Sequence, residues 1–140
     1  MAGKEKALKK RILDELSTDQ SGVLDRCFAY AKEVLRISPD GKVEVLNRDK
    51  LTGKEQILAY LIGKLYAKEV DLAAAEDVGH KELANELGIP MGSLAPWLKA
   101  LKESSMIRPV KRNRYTNYAV QINVVERVLK QLAGKAKRGT

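Results

Sequence analysis

The chain is poor in the residues from which small catalytic and metal sites are usually built. It has one cysteine (Cys27), one histidine (His80) and one tryptophan (Trp97) in 140 residues. A single cysteine excludes an intramolecular disulfide and points to a reducing compartment. Lying between Leu24 and Phe28 on an apolar stripe, Cys27 reads as a buried structural thiol rather than a nucleophile. One histidine and one cysteine make no His/Cys metal cluster, so no metal is expected, and His80 reads as a helix-start residue. Thr52-Gly53-Lys54 has the end of a phosphate-loop motif. That motif needs glycine where Arg48 stands and Ser or Thr where Glu55 stands, so the match fails. Glu76 and Asp77 have no evident catalytic partner, and no Ser-His-Asp set is present; the chain reads as a non-enzyme without a cofactor. No apolar run reaches the length of a membrane span, and the start MAGKEKALKKR has no apolar stretch behind its charges. The expectation is a soluble, cytoplasmic protein with no membrane partner.

Acidic residues are scarce only at one end. Residues 1–106 carry 17 Lys or Arg and 17 Asp or Glu, whereas residues 107–140 carry 9 and 1, so the whole net charge of +8 resides in the last quarter. Such asymmetry is the electrostatic footprint of a protein that binds nucleic acid or another anionic surface; a tail that only aids solubility is the bland alternative.

With 44% apolar residues, the chain can build one domain, or a small domain with an extension. Its most informative stretch is HKELANELGIPMGSLAPWLKALKESSMI, residues 80–107. Leu83, Ala84 and Leu87 share one helical face, and Gly88 ends that helix where a left-handed backbone is needed. Ile89 would plug the angle to a second helix, Pro90 suits the first turn of that helix, and Leu94, Leu98 and Leu101 repeat at four and three to give its buried stripe.

This pair resembles the helix-turn-helix of the winged-helix superfamily, and the resemblance extends over about residues 52–132. The rest of the pattern agrees. Thr52 and Glu55 have capping-box spacing ahead of Ile57, Leu58, Leu61, Ile62, Leu65 and Tyr66, a helix ending near Val70. Val78 falls where the family has a short first strand. Gly79 or His80 would cap the next helix, and Gly79 lacks the usual side-chain oxygen. Ile107–Val110 and Tyr118–Ile122 read as strands around the loop KRNRYTN, with Pro109 requiring an edge position. Asn123 and Glu126 have cap spacing for a last helix carrying Val125, Val128, Leu129 and Leu132 inward. The expected fold is mostly α with a small β-hairpin (α+β), a winged helix-turn-helix with an N-terminal helical extension.

Residues 1–47 form that extension. Residues 4–16 read as a basic amphipathic helix, Ser17 and Gln20 have capping-box spacing, and a second helix runs to about Leu35 with Val23, Leu24, Cys27, Phe28, Ala31, Val34 and Leu35 on its apolar stripe. Pro39, Asp40 and Gly41 signal a tight turn between Ile37 and the alternating Lys42–Val45. The extension is expected to pack on the 52–132 module or to make a homodimer. Residues 133–140 are expected to be a basic flexible tail.

The resemblance implies a helix that enters the DNA major groove and a wing on the backbone or minor groove. The expected DNA-binding residues are Met91, Ser93, Lys99 and Lys102 on the helix, and Arg108, Lys111, Arg112, Arg114 and Tyr115 on or beside the wing. The helix has no Arg, Asn or Gln in its first two turns to read base edges bidentately, so affinity should come mainly from phosphate contacts. Double-stranded DNA is the expected partner, bound by a small transcriptional regulator or nucleoid-type protein of a bacterium, an archaeon or one of their viruses. RNA is an alternative, as is a protein-interaction module whose contact patch is Met91, Pro96 and Trp97. Pro96 costs a helical hydrogen bond, which either packing or a functional kink would explain. Trp97 is placed either partly buried against a neighbouring helix or in that patch.

Overall fold

In a computed structural model, residues 7–9 and 20–137 are described. Most of the helix expected over residues 4–16 therefore lies outside the described residues, although Ala7, Leu8 and Lys9 are helical, and so does the Ser17–Gln20 capping box.

The element at the centre is the helix that follows Thr52. The Thr52 hydroxyl accepts from the Glu55 amide (3.2 Å) and the Glu55 carboxylate accepts from the Thr52 amide (2.9 Å), the reciprocal cap that the spacing predicts. In chain order the elements are α1 (Gln20–Arg26), α2 (Phe28–Val34), β1 (Leu35–Ile37), β2 (Val43–Val45), a single 3-10 turn (Arg48–Lys50), α3 (Gly53–Glu69), α4 (His80–Leu87), α5 (Met91–Glu103), β3 (Ile107–Arg112), β4 (Tyr115–Val120) and α6 (Ile122–Lys137). The architecture is mostly helical with two antiparallel two-stranded hairpins, hence α+β. Helix α3 is buried nearly all round, from Ile57 through Leu65 to Ala67, because the β1–β2 hairpin, α4, α5, β4 and α6 all pack on it. Gly63 is what lets β2 approach: a Cβ there would sit 2.3 Å from Val43 Cγ1.

The second expected helix, running to about Leu35, differs from expectation. It is interrupted at Cys27 and ends at Val34, and Leu35 turns extended (φ −148°, ψ 164°) to enter β1, which pairs Leu35 with Val45 and Ile37 with Val43. Leu24, Cys27, Ala31 and Val34 recur at three, four and three and are all buried, which defines a narrow stripe. Phe28, expected on that stripe, lies outside its spacing and is 56% exposed. Tyr66 Oη donates to the Leu24 carbonyl (2.7 Å) and ties α3 to α1; burial pushes its phenol well above the usual range. One continuous core runs from Leu24 to Ala133, so residues 20–47 share it with the later elements.

The C-terminal boundary also moves. Helix α6 continues to Lys137 with Ala133 and Ala136 buried, and Lys135 Nζ meets the Glu55 carboxylate at 2.7 Å, so residues 133–137 are not a tail; residues 138–140 lie outside the described residues. Asn123 is not the cap: the Gln121 amide donates to the Met106 carbonyl, and the first helical turn then closes from the Val124 amide to the Gln121 carbonyl. Among the described residues no helix is long and apolar enough to cross a membrane.

Candidate nucleic-acid interface

Helices α4 and α5 meet at Gly88, whose left-handed backbone (φ 65°, ψ 30°) ends α4 in a conformation that glycine adopts at least cost. Ile89 is buried in the angle, and Pro90 is the N-cap of α5 rather than a first-turn residue; its carbonyl accepts from the Ser93 and Leu94 amides. Leu83, Leu87, Leu94, Leu98 and Leu101 face the core as their spacing requires. The outward side of α5 carries Met91 (52% exposed), Ala95, Pro96, Lys99 and Lys102, with Ser93 half-buried. Pro96 sits on this exposed side, and Gly92, whose carbonyl loses the donor that Pro96 cannot supply, is exposed as well.

Trp97 is half-buried against the start of α3. A Cβ on Gly53 would lie 2.1 Å from its ring, so glycine at that first helical position makes room for the indole. Met91 lines a cleft with the β3–β4 hairpin, whereas Trp97 packs on Gly53.

The hairpin is longer and tighter than the sequence suggests. Strands run from Ile107 opposite Val120 to Arg112 opposite Tyr115, leaving Asn113 (φ 52°) and Arg114 as a two-residue turn; Lys111, Arg112 and Tyr115 are strand residues rather than loop residues. Asparagine tolerates that left-handed backbone well. Val78 pairs with Tyr118 through both backbone bonds (2.8 and 2.9 Å), which makes β3 the outer edge. Because the Tyr118 amide and carbonyl point toward Val78, Pro109 opposite Tyr118 occupies a non-hydrogen-bonded pair and its nitrogen faces outward.

The loop before α4 supplies the local electrostatics, and sequence reasoning missed its role. Asp77 has a side chain only 5% exposed and accepts from Arg112 Nε (3.0 Å), Arg112 Nη2 (2.6 Å) and Asn117 Nδ2 (2.9 Å). Hydrogen bonds from Arg112 above all, with Asn117 adding to them, hold its carboxyl down at about 2. Arg108 is paired with Glu76. Two of the six cations expected to contact DNA are thus neutralised by carboxylates on residues 76–77, and they brace the hairpin against the loop. Gly79 fits the same contact: a Cβ there would meet Asn117 Oδ1 at 2.9 Å, which is why the N-cap of α4 carries no side chain. Lys99, Lys102, Lys111 and Arg114 have no ion-pair partner among the described residues.

Between the hairpin and the starts of α4 and α5 lies a cleft of 740 Å³. Met91, Arg114 and Tyr115, expected at the interface, line it together with His80, Lys81 and Thr116, which were not. His80 and Tyr118 meet edge to face with ring centres 5.6 Å apart. The signal for these residues was present only as sequence neighbours of the turn; the pairing of Val78 with Tyr118 brings them together. Among the described residues, no group of three or more His, Cys, Asp or Glu side chains could hold a metal ion.

No protein-family model, curated protein or solved structure matches the chain.

Proposed function

We propose that the chain is a winged-helix protein that binds double-stranded DNA without catalysis, as a small transcriptional regulator or nucleoid-type protein. The order α3, Val78 bridge, α4, α5, β3, β4 supports this reading. In it α5 enters the major groove and the turn at Asn113–Arg114 rests on the adjacent backbone. The observation that carries it is the set of four cations, Lys99 and Lys102 on α5 with Lys111 and Arg114 on the hairpin, that no carboxylate of the described residues satisfies. Arg108 and Arg112 serve as braces that set the hairpin's position, not as phosphate contacts.

Each phosphate neutralised lowers log K by about 0.9 per decade of salt. Four contacts give a slope of roughly −3.6 for random duplex, and the low content of base-reading side chains on α5 predicts weak sequence dependence. Fluorescence anisotropy with random duplex across a salt series measures the slope. Replacing Lys99, Lys102, Lys111 and Arg114 together with alanine should flatten it. Binding with no salt dependence, or a slope untouched in the fourfold variant, refutes the assignment.

A further inference from the structure

Resting on that reading, we propose that the cleft beside the hairpin receives one unpaired DNA base, so that the protein prefers DNA with a single-stranded extension over uninterrupted duplex. The lining favours this occupant. Tyr115 is 73% exposed and Met91 52% exposed, and both face the cleft beside Tyr118 and His80. A base within a duplex offers only its edges to a protein, whereas an unstacked base offers a π face, which aromatic and thioether side chains contact without regard to sequence.

The polar groups of the cleft complement the rest of a nucleotide. Lys81 and Arg114 line it as exposed side chains with no ion-pair partner among the described residues, cations available to the phosphates that flank a base. Thr116 adds an edge-reading pair. Strand β4 turns the Tyr118 amide and carbonyl outward to Val78, and the alternation of an antiparallel ladder turns those of Thr116, two residues earlier, to the same side. The bridge to Val78 stops short of Thr116, so its N–H and C=O open on the cleft as one donor and one acceptor, the pattern that a base edge pairs with. The cleft volume lies within the range of small-molecule sites, ample for one base and its sugar. Helix α5 has no Arg, Asn or Gln in its first two turns to read base edges within the duplex, which favours this cleft as the place where a base is held.

The test uses the full chain and four labelled probes at one salt concentration: a blunt duplex, that duplex with a single-stranded extension, the extended DNA strand alone, and its RNA equivalent. The extended duplex should bind roughly fivefold or more tightly than the blunt one, the lower end of base–aromatic stacking. Tyr115→Ala combined with Met91→Ala should bring that ratio close to one, while Tyr115→Phe should retain it; thermal melts of each variant establish that the fold is intact. Equal affinity for blunt and extended duplex, a ratio that survives the double variant, or tighter binding of RNA than of the DNA strand overturns the proposal while leaving duplex binding standing. Failure to bind any of the four overturns both readings.

Discussion

Replacing Asp77 with asparagine tests the brace between the loop and the hairpin. The carboxylate accepts three hydrogen bonds at 2.6–3.0 Å in a nearly dry position. Asparagine keeps the shape but loses the charge and turns an amide donor toward groups that are themselves donors. The native carboxyl is lowered from 3.8 to about 2. Taken at face value that shift corresponds to about 2.4 kcal/mol. Its partner guanidinium is 54% exposed, so solvent screens much of the attraction and about 1 kcal/mol survives. For a chain of 140 residues this lowers the melting temperature by about 4 °C at neutral pH. The sign of the pH dependence follows from a folded-state value below the unfolded one. The stabilisation is fully present above 3.8 and is lost as pH falls toward about 2. Melts followed by circular dichroism should therefore show parent and Asp77→Asn separated at neutral pH and converging over that interval. A variant that melts with the parent at neutral pH, or a separation that stays constant to the acid end, refutes the brace.

Two further substitutions probe the centre of the fold. Gly53→Ala would normally gain helix propensity, but its Cβ would lie 2.1 Å from the Trp97 ring, and overpacking of about 1–3 kcal/mol outweighs that gain. Urea unfolding should show the loss, and the emission of the sole tryptophan should shift in the folded state; unchanged emission and midpoint would contradict the packing. Thr52→Ala removes one half of the capping box of α3 and should cost about 1 kcal/mol, seen as a lower urea midpoint with an unaltered slope.

The helical elements were readable because their signals are local. Thr52 and Glu55 reach each other across one turn, Gly88 marks a left-handed backbone, and Leu94, Leu98 and Leu101 repeat at the helical period whatever surrounds them. The end and buried side of the helix leading to Leu35 are hidden in the sequence because Phe28 and Leu35 are as apolar as the residues beside them; the stripe that α6 covers and the pairing of Leu35 with Val45 decide which side is buried and where the helix stops. The full length of the last helix is hidden in the sequence because Lys135 and Ala136 look like tail composition until Glu55 and the core lie beside them.

The candidate interface divides in the same way. The concentration of positive charge after Ile107 and the exposed lysines of α5 follow from composition and period, and the sequence by itself determined both. Which cations stay available was decided only by tertiary structure. Arg108, Arg112 and Arg114 are alike in one dimension, and ion pairing falls off within a few ångströms, so their roles depend on where the chain carries Glu76 and Asp77. The bridge from Val78 to Tyr118 sets that placement, and it joins residues forty positions apart.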